Sequence, residues 1–146
     1  MGDYWTNAVR HPEDIGVGHI RRTLDSGELA AAGATVGVPI GTLEAGAIPL
    51  RAEVYVATLF NGTTPTITIG TPGAGVAGIM ASADIAPATA GYKVAPATGA
   101  QMGVPLAADT TFYAFLTQTN TTAGKITAII EFINKRESVV RPFPNN

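Results

Sequence analysis

Hydrophobic and polar positions alternate with a period of two residues along several stretches of this chain. The longest stretch is Leu50–Phe60, where mostly apolar residues at even positions alternate with Arg51, Glu53 and Tyr55. Asn61-Gly62 follows directly, and this dipeptide is a common β-turn. Because successive side chains of a β-strand point to opposite faces of a sheet, the pattern predicts a half-buried strand that ends in a tight turn.

Similar alternation predicts the other strands of the domain. They are predicted at 66–70, 90–95, 110–119 and 125–134, with weaker ones near 35–39 and 76–80. In Lys125–Asn134 both faces are largely apolar, which predicts a central strand covered on both sides. Many of the prolines lie where these strands end, as proline does in sheets. The expected fold is all-β, a single jelly-roll-like antiparallel β-sandwich of seven or eight strands with extended N- and C-terminal arms.

The two arms are predicted from segments that flank the alternating region. The N-terminal arm spans 1–33, where glycines leave room for a turn or two of helix at most. The C-terminal arm spans 135–146 and contains Arg141-Pro142-Phe143-Pro144, whose prolines exclude regular structure. The β-sandwich is expected over 34–134 between them.

Charged residues are scarce in the middle of the chain. They make up 14% of the sequence, against roughly 25% in an average soluble domain. Eight charges lie in residues 1–28 and five in 131–146, which leaves seven for the residues between. Such a surface suits a chain that buries much of its exterior against protein partners. The formal net charge of −2 provides no basic field that would attract nucleic acid.

The sequence offers no sign of a membrane partner. No apolar run reaches the roughly 18 residues that are needed to span a bilayer. The first residues lack the basic start and apolar stretch of a signal peptide, so we expect synthesis in the cytoplasm. The absence of cysteine excludes disulfides and a thiol nucleophile.

A glycine pattern at 73–78 matches the GxGxxG motif of dinucleotide-binding folds. That fold requires a helix that opens at the third glycine and an acidic residue about 20 positions further on. Residues 93–98 contain no acidic residue, and Pro72 and Pro87 leave little room for the helix. We therefore interpret the motif as a flexible connection between strands.

Candidate catalytic and metal-binding groups are few. The two histidines both lie in the predicted N-terminal arm, eight residues apart, which is not a recognised ligand spacing. None of the three serines lies in a nucleophile motif. Glu53 and Glu131 are the least implausible pair of catalytic carboxylates, but we expect them to face solvent or to pair with Arg51 and Lys125 across strands. The sequence predicts no enzyme, with no catalytic residue, cofactor or metal site.

Partner-binding residues are expected in the arms. The single tryptophan, Trp5, lies next to Tyr4 in a segment that can hardly cover it, and aromatic residues are enriched at interfaces. Trp5 therefore either docks on a partner or folds back onto the sandwich. Arg21 and Arg22 have acidic residues nearby, which favours salt bridges to a partner protein over contacts with nucleic acid. The predicted partner-binding residues are Tyr4, Trp5, Arg10, Arg21, Arg22, Arg141 and Phe143.

Turn and strand signatures give the chain a resemblance to a known group of proteins. Ile40–Ile48, continued by Leu50–Phe60, Asn61-Gly62 and Thr66–Gly70, resembles a recurring pattern in small virion proteins of tailed phages. Thr122–Ile133 resembles the last hairpin of the same group. Over about 34–134 the chain looks most like the jelly-roll decoration (cement) proteins of tailed-phage capsids, among them that of a Bordetella phage.

The resemblance implies a non-enzymatic virion structural protein, made in a bacterial host, that decorates the outside of an icosahedral capsid. Its implied partners are the major capsid protein, whose neighbouring copies it would cement, and a second copy of itself, because a two-fold dimer is the commonest oligomer. The alternative is a jelly-roll module of a tail fibre or baseplate that binds host carbohydrate, although the predicted loops hold few of the aromatic and acidic residues that such sites use. A small hydrolase is the third possibility.

Overall fold

The structure is a computed structural model, and it describes residues 15–95 and 98–135. Its strands are β1 (Ile15–Asp25), β2 (Val38–Leu43), β3 (Ile48–Thr58), β4 (Thr63–Gly70), β5 (Gly91–Val94), β6 (Thr110–Thr119) and β7 (Lys125–Lys135). Helix α1 is Ser26–Val36, helix α2 is Ser82–Ile85, and a 3-10 turn lies at Gly73–Gly75.

These strands form two antiparallel sheets. The four-stranded sheet has the order β1-β7-β3-β5, and the three-stranded sheet has the order β2-β6-β4. Strand β7 lies between β1 and β3, so the prediction of a central strand at 125–134 is confirmed. The expectation that both of its faces are covered is wrong, because Thr127, Ile129 and Glu131 are half-buried on the side that points away from the core. The two sheets form a sandwich, and the expected all-β, jelly-roll-like fold is confirmed.

The core lies between the two sheets and is built from the alternating positions of the strands. Leu24, Ile126 and Ile130 of the four-stranded sheet are fully buried, as are Ile67 and Phe112 of the three-stranded sheet. Each such side chain contributes about 1.5–3 kcal/mol through removal of its apolar surface from water. The alternation in the sequence therefore assigns the core-facing side of β3, β4, β6 and β7 correctly.

Strand β1 is the largest departure from the sequence-based expectation. It pairs with β7 along its whole length, from Ile15 opposite Lys135 to Asp25 opposite Lys125. The prediction of an extended arm over 1–33, with a helical turn near His19–Leu24, is therefore wrong for residues 15–33, while residues 1–14 lie outside the described part of the chain. Its pairing with β7 places Leu24 in the core, where the side chain is fully buried.

Helix α1 connects the two sheets and explains why β2 begins later than predicted. Asp25 accepts a hydrogen bond from the backbone N–H of Glu28 at 2.8 Å, and the Glu28 carboxylate accepts one from the Asp25 backbone N–H at 3.4 Å. This capping box starts the helix. The helix packs mainly against β6 and buries Leu29 in the core, so the strand predicted at 35–39 starts only at Val38.

The glycine motif at 73–78 forms a compact loop. It contains a 3-10 turn and no helix opens at Gly78, which confirms the interpretation as a connection between strands. A side chain at Gly70 would overlap the carbonyl oxygen of Gly75, and one at Gly78 would overlap Gln101. The glycines therefore allow close backbone packing. The strand predicted at 76–80 is reduced to a single bridge between Ile69 and Met80.

Candidate assembly surface

One face of the four-stranded sheet points away from the core, and we call it the outer face. Its residues alternate with buried ones along each strand and share a face through the cross-strand register. They are Val17, His19, Arg21 and Thr23 of β1, Lys125, Thr127, Ile129, Glu131 and Ile133 of β7, Ile48, Arg51, Glu53 and Tyr55 of β3, and Tyr92 and Val94 of β5. A bulge between Pro49 and Arg51 keeps Ile48 and Arg51 on this same face, opposite Ile133 and Glu131.

A polar network occupies the middle of the outer face. The Arg51 Nε lies 2.6 Å from a carboxylate oxygen of Glu53 and 4.0 Å from one of Glu131. The Arg51 guanidinium also donates a hydrogen bond of 3.1 Å to the Tyr92 hydroxyl. The prediction of pairing across strands is confirmed for Glu131 with Arg51, whereas Glu53 pairs with Arg51 along the same strand. Among the described residues, Lys125 forms no salt bridge.

The network raises the pKa of two of its members. The pKa of Tyr92 is raised from its ordinary value, chiefly because the hydroxyl hydrogen-bonds to the Glu53 carboxylate, while Arg51 opposes the rise. The pKa of Arg51 is also raised, by the hydrogen bond to Tyr92 and then by the charge of Glu53. Both groups are held in the protonation state that they already have at neutral pH, so the network fixes side chains in place.

Large apolar side chains surround this network and remain exposed. Val17, Tyr55, Tyr92 and Val94 are each between 43% and 68% accessible. Ile129, in the centre of the sheet, is half-buried between them. The outer face thus combines aromatic and aliphatic side chains with a fixed polar network, a composition that is typical of protein interfaces.

The structure separates the two neighbouring arginines that were predicted to bind a partner. Arg21 is exposed on the outer face, opposite Ile129. Arg22 points the other way, where its guanidinium donates to the Pro39 carbonyl oxygen at 2.7 Å and to Glu28 at 3.1 Å. The partners of Arg22 are therefore intramolecular. The other predicted partner-binding residues, which are Tyr4, Trp5, Arg10, Arg141 and Phe143, lie outside the described ranges and stay predictions.

The ends of the described chain lie side by side. Ile15 begins β1 and is paired with Lys135, the last residue of β7. Residues 1–14 and 136–146 are therefore attached at one end of the same sheet. The sequence did not reveal this proximity, because it depends on pairing between two segments that are more than a hundred residues apart.

The sequence did not predict the outer face as a candidate surface for binding. The alternation in β3 already placed Arg51, Glu53 and Tyr55 on one side of that strand. The neighbouring positions of Tyr92 and Val94 follow only from the pairing of β3 with β5, for which the sequence gives no local signal. A surface formed by several strands is thus visible only once the strand order is known.

Two further features of the described residues concern metal ions and membranes. Within 15–95 and 98–135, no group of three or more His, Asp or Glu side chains is placed to hold a metal ion. None of the helices in this part of the chain is long and apolar enough to cross a membrane.

Comparisons with known proteins match the chain through its fold. No protein-family model and no curated protein matches the sequence. A chain in the capsid of Ralstonia phage GP4 matches with a TM-score of 0.58 and 22% identity over 85% of this chain and 86% of that one. A chain in the cyanophage Pam1 capsid asymmetric unit gives 0.57 and 17% over 82% and 84%. A chain in the acidic stable capsid of Helicobacter pylori bacteriophage KHP30 gives 0.56 and 8% over 82% and 89%. The β-sandwich described above is therefore a fold that recurs in chains of three phage capsids.

Proposed function

We propose that this chain is a non-enzymatic virion structural protein that decorates the outside of an icosahedral phage capsid and cements neighbouring major capsid proteins. The observation that carries the proposal is the fold likeness to chains of three phage capsids, each over more than four-fifths of this chain. The resemblance of the strand and turn signatures to tailed-phage cement proteins supports the same function independently.

The extent of the likeness supports a small accessory subunit. Between 84% and 89% of each matched chain is covered. Each matched chain is thus about as long as this one and consists largely of the same sandwich. A chain of this kind in a capsid acts as a whole subunit, and its surface must supply all of its contacts with neighbouring subunits.

The charge distribution supports protein partners. The positive charges of Arg21, Arg51 and Lys125 on the outer face are matched by Glu53 and Glu131 on the same face and by Asp25, which lies opposite Lys125 at the end of β1. A nucleic-acid surface would need an excess of positive charge. A balanced face with exposed aromatic residues suits contact with another protein.

The positions of the chain ends suit attachment to a shell. Segments 1–14 and 136–146 continue from Ile15 and Lys135, which are neighbours in the four-stranded sheet. If both segments bind the shell, they reach it from one end of the molecule and can contact two adjacent capsid proteins across a seam. These contacts across the seam have to be broken before the two capsid proteins can separate. Many copies bound to one shell strengthen the overall attachment through avidity.

A binding experiment tests the proposal. Purified protein is added to capsids that lack it, and the bound copies per capsid and the temperature of capsid disruption are measured. We expect saturation at a stoichiometric number of copies and a higher disruption temperature. Binding of a handful of copies per particle, or binding to host glycans with no binding to capsids, would contradict the proposal and would favour the tail-fibre or baseplate alternative.

A further inference from the structure

We propose that the outer face of the four-stranded sheet is a two-fold interface with a second copy of this chain. This inference rests on the proposed function as an assembly protein and names the surface through which its copies join to each other.

The outer face carries apolar groups that the sandwich itself leaves in water. Tyr55 is 51% exposed and Tyr92 is 54% exposed, and they lie directly opposite each other on β3 and β5. At the other end of the face, Val17, Ile133 and Ile48 form one row across β1, β7 and β3. Burial of such side chains is favourable, and contiguous exposed apolar groups mark interaction sites.

The charges of the outer face are arranged so that they complement a second copy. Glu131 and Arg51 lie opposite each other on the neighbouring strands β7 and β3. We consider a two-fold axis that lies between the two packed faces and runs parallel to the strands, midway between β7 and β3. This axis places Glu131 of each copy against Arg51 of the other copy. The same axis places Ile133 against Ile48. Like charges do not meet in this arrangement, which is what an isologous interface requires.

The size of the face is close to that of a standard protein interface. Strands β1, β3 and β7 each contain 11 residues. At about 3.3 Å per residue and about 4.8 Å between strands, the face measures roughly 35 Å by 15–20 Å. With the relief of its side chains, this area approaches the roughly 800 Å² per partner of a standard interface. Packing of two such faces would resemble the sheet-on-sheet contact inside the sandwich itself.

A second copy fits this face better than the capsid shell does. The segments proposed to bind the shell start at one end of the sheet, next to the pair Ile15 and Lys135. The outer face extends along the strands away from that end. A subunit held to the shell at its end thus keeps this face free for a neighbouring subunit.

Charge reversal in trans tests the interface. The variants Arg51→Glu and Glu131→Arg are prepared separately, and the dimer dissociation constant is measured by sedimentation equilibrium. We expect the wild type to be dimeric at about 100 μM and each variant to dissociate at least about tenfold more readily, since like charges then meet. When the two variants are mixed, each copy meets opposite charges, so we expect heterodimers of near wild-type stability.

Recovery of dimers on mixing distinguishes the interface from an effect within one chain. Each variant has like charges at positions 51 and 131 of its own sheet, and mixing does not remove that repulsion. A matched control is Val36→Glu, at a position that is 64% exposed at the end of helix α1, which packs mainly against β6 of the other sheet; it should dimerise as the wild type does. Thermal unfolding verifies that all variants are folded.

The possible results separate this inference from the proposed function. A wild type that is monomeric at this concentration, variants that stay dimeric, or variants that stay monomeric when mixed would each overturn the interface. Capsid decoration by the wild type is measured separately, so a monomer that decorates capsids would leave the proposed function standing. A wild type that dimerises but does not bind capsids would support the interface and contradict the proposed function.

Discussion

Two glycines, Gly33 at a kink within helix α1 and Gly37 directly after the helix, have the same backbone conformation in different surroundings. Gly33 has φ 77° and ψ 173°, and Gly37 has φ 69° and ψ 174°. These angles lie in a region that is accessible almost only to glycine. A Cβ at Gly33 would meet nothing within 4 Å, whereas a Cβ at Gly37 would lie 2.7 Å from the ring of Phe115. Phe115 is almost fully buried, so its ring has little room to move away.

We expect Gly37→Ala to destabilise the protein more than Gly33→Ala. Backbone strain should cost about 1–3 kcal/mol at either position, and the collision with Phe115 should add roughly 1–3 kcal/mol at Gly37 only. Urea unfolding of the two variants measures the difference. Equal losses of unfolding free energy would show that the Phe115 ring does not define the end of this helix.

Neighbouring arginines on β1 should differ in their effect on stability. Arg22 makes two hydrogen bonds within the chain, to the Pro39 carbonyl and to Glu28, whereas Arg21 is exposed on the outer face. We expect Arg22→Ala to lower the free energy of unfolding by about 1–2 kcal/mol and Arg21→Ala to change it by less than about 0.5 kcal/mol. If both variants lose the same stability, the intramolecular contacts of Arg22 are not formed in solution.

Protonation of Tyr92 should affect stability in alkaline solution. Its pKa is raised in the folded state by the hydrogen bond to Glu53. The unfolded chain releases the tyrosine proton near pH 10, so above that pH the folded state binds more protons than the unfolded state. The contribution to stability is therefore complete below pH 10 and is lost as the pH rises through the folded pKa.

The variant Tyr92→Phe removes this titration. We expect its free energy of unfolding to fall less steeply between about pH 9 and pH 11 than that of the wild type. Urea unfolding at several pH values measures the two slopes. Identical slopes would contradict a Tyr92 hydroxyl held by Glu53.

Strands whose alternation is regular were predictable from the sequence, and β6 is the best case. Its predicted bounds, 110–119, are the observed ones, and Phe112, Ala114 and Leu116 are buried as the alternation requires. Phe115, on the other face, is also buried because α1 and Gly37 cover it. Local sequence did not predict that burial, since it depends on the packing of a separate element.

Strand β1 and helix α1 were missed although the sequence contains signals for both. Ile20 and Leu24 alternate with exposed residues, but the glycines and the polar Arg22 between them obscure the period of two. The structure needs Gly18 there, because a Cβ would lie 2.8 Å from the ring of Phe132. Asp25 and Glu28 have capping-box spacing, and the glycines of the helix conceal that signal too.

Deletion variants test the corrected boundary of the domain. Removal of residues 1–14 leaves β1 and its pairing with β7 intact, so we expect a folded protein with a melting temperature within a few degrees of the wild type. Removal of residues 1–25 exposes β7 and deletes the buried Leu24, and we expect it to abolish cooperative unfolding. Circular dichroism during heating measures both outcomes. A folded domain without residues 1–25 would contradict the placement of β1 in the sandwich.

The deletion of residues 1–14 also addresses shell binding. If Tyr4, Trp5 and Arg10 bind the shell, the folded variant should decorate capsids at least about tenfold more weakly than the wild type. Undiminished decoration would show that these residues are not the shell-binding ones.

At the scale of the whole molecule, the sequence indicated the class of function better than the surface proposed to perform it. The scarcity of charge between residues 28 and 131 and the lack of catalytic groups indicated a protein that works through contacts. The outer face required the order β1-β7-β3-β5, which brings together residues from both ends of the chain and from its middle. Such non-local pairing is not encoded in any short segment, so the surface was found only in the folded molecule.

The central claim, decoration of a capsid exterior, is tested most directly by cryo-electron microscopy of capsids assembled without this protein, imaged before and after it is added. We predict additional density of the size of one β-sandwich per subunit, on the outer surface, over seams between neighbouring major capsid proteins. The dimer proposal further predicts that this density occurs in two-fold pairs. Absence of added density, or density confined to the interior or to the tail vertex, would contradict the claim.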